Sequence, residues 1–260
     1  MKTKSIIYLL SLSLFFSLPL AASADSAHKD GEIINDNGTI YLIKNQQCFA
    51  FRTAEEFFSN GYQFEMAVPA NTADLTLPSA GIIKARDGSL VRDSRDTSAY
   101  YFAFATGLRK IGTDTLYLLG LEKQNYFEID LSDYSIATAY SLSSAFESPQ
   151  PGTLINDSGK IYLIAQNGRA PFSTPAIFYS YGYDFSAARL AGPEDLKLQE
   201  LAPLPYRDGA LVNDRGTIYL ISNGTKFGFQ TWNGFTSRGY EIKTAVSGDT
   251  SGYAQGINFD

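Results

Sequence analysis

The 260-residue chain contains a single histidine, a single cysteine and a single tryptophan: His28, Cys48 and Trp232. The lone His precedes every recurring element, which excludes imidazole-based nucleophile activation and proton shuttling. One Cys makes no intramolecular disulfide, and zinc sites built on Cys and His fall with the same count. No glycine loop for phosphates and no dinucleotide fingerprint occurs, so no cofactor is implied. Basic residues are outnumbered, 21 Lys and Arg against 27 Asp and Glu, for a formal net charge of −6. That balance disfavours nucleic acid and anionic membrane surfaces as partners.

Long apolar runs are missing everywhere but the start. Lys2 and Lys4 precede an apolar run from Ile6 to Leu20, and Ala22-Ser23-Ala24 follows it. This is the pattern of a secretory signal peptide over residues 1–24, cleaved before Asp25. Pro19 and the small residues break the run near its end, which argues against a membrane anchor. The expectation is an exported chain, secreted, periplasmic or at the cell surface, with no membrane insertion after cleavage.

What the sequence has in abundance is one stretch, met four times. Its clearest copy is Asp208 to Ile221 (DGALVNDRGTIYLI); Pro151 to Ile164 and Asp30 to Ile43 repeat it, and a worn copy starts at Asp87. The leading glycines, Gly31, Gly88, Gly152 and Gly209, are 57, 64 and 57 positions apart. A fixed period of this size indicates a copied supersecondary unit. The units run 30–86, 87–150, 151–207 and 208–260, after a leader of 25–29. The second is divergent, with extra residues at Ser94 to Ser98 and again after Gly120, around Lys123 to Asp130.

Each stretch reads as a β-hairpin. Two apolar runs flank Asn35-Asp36-Asn37-Gly38, Asn156-Asp157-Ser158-Gly159 or Asn213-Asp214-Arg215-Gly216. The Asn and Asp are expected to start a type I turn, with Gly at the positive-φ position of a G1 bulge. Four successive apolar residues (Ile-Tyr-Leu-Ile) imply a second strand covered on both faces. Phe51, Phe172 and Phe229 suggest a third strand turning back on it. Thr53, Thr174 and Thr231 then stand four residues before Phe57, Phe178 and Phe235, which stand four before Gly61, Gly182 and Gly239. This spacing predicts a short helix with Thr as N-cap, Gly at the left-handed C′ position, and a Phe–Tyr contact closing a Schellman cap. Thr53 to Glu56 forms a capping box, and Pro175 suits a first helical position. The segments Pro69 to Pro78 and Pro193 to Pro205 read as ordered, extended connections.

The fold expected is mainly β, with one short helix per unit and four units of about 57 residues packed into one body. Closure into a four-bladed β-propeller is the alternative.

Few residues carry candidate chemistry. The Asp-rich turns lack the alternating ligands and distal Glu of a calcium loop and read as turns only. Asn37-Gly38-Thr39, Asn156-Asp157-Ser158 and Asn223-Gly224-Thr225 are glycosylation sequons where a host uses them. Cys48 aligns with Arg169 and Lys226, so a half-exposed thiol is expected. Trp232 takes the first helical position, where other units have Ala54 and Pro175, so the repeat itself does not require it. With Tyr181, Asn233 and Arg238 at the same helix or its counterpart, it forms a candidate sugar-stacking surface. Alternatively Trp232 covers the open end of the fourth unit, and a large loss of stability on its removal is the expectation.

Gly224-Thr225-Lys226-Phe227-Gly228-Phe229 through Gly239-Tyr240, and Leu204-Pro205-Tyr206-Arg207-Asp208-Gly209, carry a resemblance. The pattern resembles a tandem repeat of bacterial secreted and cell-surface proteins, over nearly the whole chain after the leader. In the second unit only Gly107 to Ile111 keeps it clearly. The resemblance implies an exported repeat module and no reaction. A looser similarity of layout is to hemopexin-like propellers, and it carries no binding residues over. The sequence therefore points to a non-enzymatic exported binding or surface-interaction protein, whose partner is a glycan (cell-wall or extracellular carbohydrate) or a surface protein. A structural or adhesive spacer and a carboxylate-dependent glycoside hydrolase are the alternatives.

Overall fold

Each recurring stretch opens a sheet of its own. In the first sheet β1 (Ile33–Asp36), β2 (Thr39–Lys44) and β3 (Gln47–Phe51) form an antiparallel meander. Helix α1 (Ala54–Ser59) follows, and β4 (Ala67–Pro69) and β5 (Ser79–Ile83) then flank the meander in parallel, in the order β4-β1-β2-β3-β5. The computed structural model describes residues 26–104, 107–118, 121, 125–137 and 149–260. The leader expected at 1–24, and Gly120 with residues 122–124 of the second unit's insertion, lie outside the described residues.

The second sheet repeats the order with β6 (Leu90–Asp93), β7 (Tyr100–Phe104), β8 (Gly107–Ile111), α2 (Thr113–Leu118), β9 (Tyr126–Ile129) and β10 (Ile136–Ala137). The third uses β11 (Leu154–Asp157), β12 (Lys160–Ala165), β13 (Gly168–Pro171), α3 (Pro175–Ser180) and β14 (Arg189–Leu190). Its fifth strand is reduced to a single parallel bridge, Arg169 to Glu200. The connection there is not fully extended, because Pro193–Leu196 forms a helical turn, α4. The fourth uses β15 (Leu211–Asp214), β16 (Thr217–Ser222), β17 (Thr225–Gly228), α5 (Trp232–Thr236), β18 (Val246–Ser247) and β19 (Ala254–Gln255). The chain is thus mainly β: four sheets of four or five strands with a few short helices. No described helix is long and apolar enough to cross a membrane.

The hairpin turns are tighter than expected. Asp36 faces Thr39 in the ladder, and the two loop residues both have positive φ: 50° at Asn37 and 97° at Gly38. Ser158-Gly159 and Arg215-Gly216 do the same. These are two-residue primed turns, not a type I turn with a bulge, because their twist matches the right-handed twist of the strands. The first Asn still contributes as a side chain: Gly38, Gly159 and Gly216 donate their N–H to Asn35, Asn156 and Asn213 Oδ1 at 2.8, 2.7 and 2.9 Å.

The helices carry the expected Thr and Gly caps, but the capping box expected at Thr53 to Glu56 is not completed: Glu56 Oε1 accepts from Arg52 Nη2 and Tyr134 Oη instead, and Oε2 has no hydrogen-bond partner among the described residues. Thr53, Thr174 and Thr231 Oγ1 accept from the backbone N–H three residues on, satisfying one otherwise unpaired donor each. Gly61, Gly182 and Gly239 have φ of 75°, 69° and 87°. Phe57, Phe178 and Phe235 meet Tyr62, Tyr183 and Tyr240 with ring centroids 5.5, 5.6 and 5.6 Å apart. Those three phenylalanines are fully buried, which docks helices too short to stand alone.

Contacts between the sheets follow from this. Ile34, Ile43 and Val68 of the first pack with Leu211, Leu220, Phe235 and Tyr240 of the fourth. Leu154, Phe172 and Phe178 of the third pack with Tyr206, Val212 and Ile221. Tyr134 Oη of the second donates to Glu56 Oε1 of the first at 2.9 Å. The glycines that end α1 and α3, in the first and third units, also touch: a Cβ on Gly182 would lie 2.2 Å from Gly61 O. No closed propeller is formed among the described residues.

Candidate functional site

The concavity of interest lies where the first, third and fourth sheets meet. It is a shallow cleft open to solvent, and Tyr62, Glu65, Tyr179, Ser180, Arg207 and Tyr240 are among its walls. Three aromatic residues reach it by two routes. The Gly-Tyr closure of α1 and of α5 delivers Tyr62 and Tyr240, and the exposed side of α3 delivers Tyr179, which is 49% accessible.

Arg207 is the charged centre of this cleft. It follows the buried Tyr206 and reaches across to the first sheet, where its guanidinium lies over the Tyr62 ring at 3.4 Å and Nη1 donates to Asn60 O at 3.0 Å. Nη2 is buried and has no hydrogen-bond partner among the described residues. Burial pushes the Arg207 pKa down to about 9.

The carboxylates of the cleft are occupied. Glu32 is buried and accepts from Tyr240 Oη and from Lys29 N–H; burial raises its pKa, against the lowering effect of His28 and those two bonds. Asp208 Oδ1 accepts from Asn223 N–H at 2.7 Å, and burial raises its pKa too. Glu65 pairs with Lys243 at 3.2 Å. Two convergent free carboxyls, the arrangement a glycosidase needs, are not what the cleft presents. Among the described residues, no group of three His, Cys, Asp or Glu could hold a metal ion.

Of the residues singled out from the sequence, Trp232, Asn233 and Arg238 lie on α5 or just beyond it, and Tyr181 does not. Trp232 is 61% exposed and lies on Phe235 of its own helix, centroids 5.3 Å apart. It is therefore not a buried end cap: the face it was expected to cover is already packed against the first sheet. Asn233 is exposed, and the Arg238 guanidinium lies over Phe259 at 4.9 Å. Tyr181 sits apart, at the end of α3. It packs on Phe172, burial pushes its pKa up to about 12, and its carbonyl accepts from Arg86 Nη1 at 2.7 Å.

Cys48 corrects a second expectation. It is buried, because β5 pairs with β3 and the turn Asp74–Thr76 lies over it, its thiol facing Asp74 O at 3.7 Å. Desolvation raises its pKa, so it is not a poised nucleophile. His28, outside the sheets, has Nδ1 2.7 Å from Oδ2 of the buried Asp74. Sequence reasoning missed Arg207, Tyr62 and Tyr179. A signal existed in Arg-Asp-Gly, which precedes the second and fourth stretches at Arg86 and Arg207 but not the first or third.

No family model matches the chain, and no curated protein matches it. Among solved structures, the chain is similar to one titled "Structure of the periplasmic assembly from the ESX-5 inner membrane complex, C1 model", at 10% identity and a TM-score of 0.21, over 90% of this chain and 70% of that one. A second, "Structure of an intact ESX-5 inner membrane complex, Composite C3 model", gives 10% identity and 0.20, over 89% of this chain and 57% of that one.

Proposed function

We propose that this is an exported, non-enzymatic binding protein of the cell exterior, built from four copies of one unit, which holds a glycan in the cleft between its first, third and fourth sheets. The observation that carries this reading is the wall of that cleft. Tyr179 stands half exposed there beside Arg207 and Ser180, while the Tyr62 ring is covered by Arg207 and Phe57 and the Tyr240 ring is buried on Phe235. Aromatic faces with a few fixed polar groups are how proteins take up sugar rings, which are apolar on one side and rich in hydroxyls at the edge. More exposed rings stand on the same elements: Phe58 and Phe64 meet edge to face at 5.2 Å, and Tyr179 and Phe185 at 5.5 Å. The occupied carboxylates favour binding over hydrolysis, and the leader pattern supports export.

The test is a glycan-array screen of the protein alongside Tyr179→Ala. Retention of a glycan set by the parent and its loss in the variant, with an unchanged melting midpoint, is the expected result. Equal retention by both would remove the cleft from the reading, and no retention by either would remove the reading itself.

A further inference from the structure

Arg207 has a counterpart on the other side of the contact between Gly61 and Gly182. Arg86 also precedes an Asp-Gly, and its N–H lies 3.3 Å from Ser59 Oγ, as the Arg207 N–H lies 3.1 Å from Ser180 Oγ. Each guanidinium crosses to the opposite half of the chain and covers the tyrosine of a Gly-Tyr closure: Arg86 over Tyr183 at 4.0 Å, Arg207 over Tyr62 at 3.4 Å. The two then converge, since Tyr181 O accepts from Arg86 Nη1 at 2.7 Å and from Arg207 Nη1 at 3.5 Å.

Two like charges are thus brought to one carbonyl oxygen, and no carboxylate pairs with either. Among the described residues neither Arg86 nor Arg207 makes an ion pair, while other arginines such as Arg52, Arg169 and Arg189 do. Buried charge is ordinarily matched by an opposite charge, because desolvating an unpaired ion costs several kcal/mol. The local offsets are weak: carbonyls at the ends of two six-residue helices, and the faces of two tyrosines. The cleft's own carboxylates are turned to other partners. Desolvation lowers both arginine pKa values, in keeping with cations that lack a counter-charge.

Resting on the glycan reading above, we infer that the ligand is an acidic saccharide, whose carboxylate or sulfate group is accepted by Arg207 in the cleft. The anion supplies the charge that the arginine pair lacks. Arg207 is among the walls of the cleft, and the planar fork of a guanidinium matches a carboxylate or a sulfate.

The experiment is an array printed with uronic-acid, sulfated and neutral oligosaccharides. Retention confined to the acidic members is the expected result, and which acidic class is retained separates carboxylate from sulfate. Retention of neutral members as strongly as acidic ones would overturn this inference and leave the glycan reading standing. An empty array would overturn both. For any acidic glycan retained, Arg207→Gln should weaken binding about tenfold or more, the scale of one charge-assisted bond. Because that variant also loses its bonds to Asn60 and Tyr181, the parent protein is also titrated with the retained glycan after its acidic groups have been reduced or removed. A weaker affinity for the neutral form is expected, and an equal affinity would overturn the inference whatever the variant does.

Discussion

Gly182→Ala isolates the backbone contact between the glycines that end α1 and α3. The sequence alone supports a cost of about 1 kcal/mol, the ordinary penalty for placing Ala at a left-handed helix end. The structure adds a second term. A Cβ at Gly182 would lie 2.2 Å from Gly61 O and 2.6 Å from Gly61 Cα. Both are backbone atoms, so no side chain can swing aside. Overpacking of this kind costs roughly 1–3 kcal/mol, which brings the expected loss to about 2–4 kcal/mol. Gly159→Ala is the control. It has φ of 95° in an open turn where an added Cβ meets nothing within 4 Å, so it carries only the backbone penalty. Urea denaturation of both variants, read as a shift in midpoint at constant slope, gives the difference directly. Equal losses would refute the reasoning, since they would mean that the two helix ends part at no cost or do not touch at Gly61.

Trp232→Ala should cost about 0.5–1.5 kcal/mol, the value of one ring contact, and a melting curve showing a loss of 3 kcal/mol or so would restore the end-cap role. Arg215→Asn should raise stability by roughly 0.5–1 kcal/mol, because Arg215 sits at φ of 53°, where Asn is better tolerated than Arg; a lower midpoint would show that the exposed pair with Asp214, 3.9 Å apart, outweighs the backbone strain. Glu32 bears on pH. Its folded pKa is raised above 4.5, so its contribution to stability is present at acid pH and is lost as pH rises through that folded value. Melting midpoints of Glu32→Gln against the parent should therefore move in the variant's favour as pH rises from about 4 to 8, and a difference independent of pH would show that Glu32 titrates alike in the folded and unfolded chain and that its pKa is not raised.

Local chemistry was legible and long-range pairing was not. Thr, Phe, Gly and Tyr at fixed intervals announce a capped helix because every interaction in it spans a few residues. The hairpin was visible for the same reason. Its turn type was misread because Asn-Asp-Ser-Gly suits a type I start as well as a primed loop, and only the ladder register of Asp157 with Lys160 decides between them. Cys48 looked half exposed because its aligned partners, Arg169 and Lys226, are charged. Its cover comes from β5 and the turn at Asp74, which the alignment of hairpins does not contain. The cleft is the extreme case. Asn60 and Arg207 are 147 positions apart, and nothing in either neighbourhood says that they meet.

The Tyr240 hydroxyl donates to Glu32 across 208 positions of chain, and the first sheet's Ile34 and Ile43 share a core with Phe235. A chain emerging from its N-terminal end therefore makes its first hairpin long before it makes the surface that covers it. Until residue 240 is available, Glu32 lacks its phenol partner, and Ile34 and Ile43 have only the first sheet's half of their core, Cys48 and Val68. The consequence is kinetic. Assembly waits on a contact between the two ends, which marks the topology as a slow folder, and a shortened chain would lose the core of its beginning along with the strands at its end.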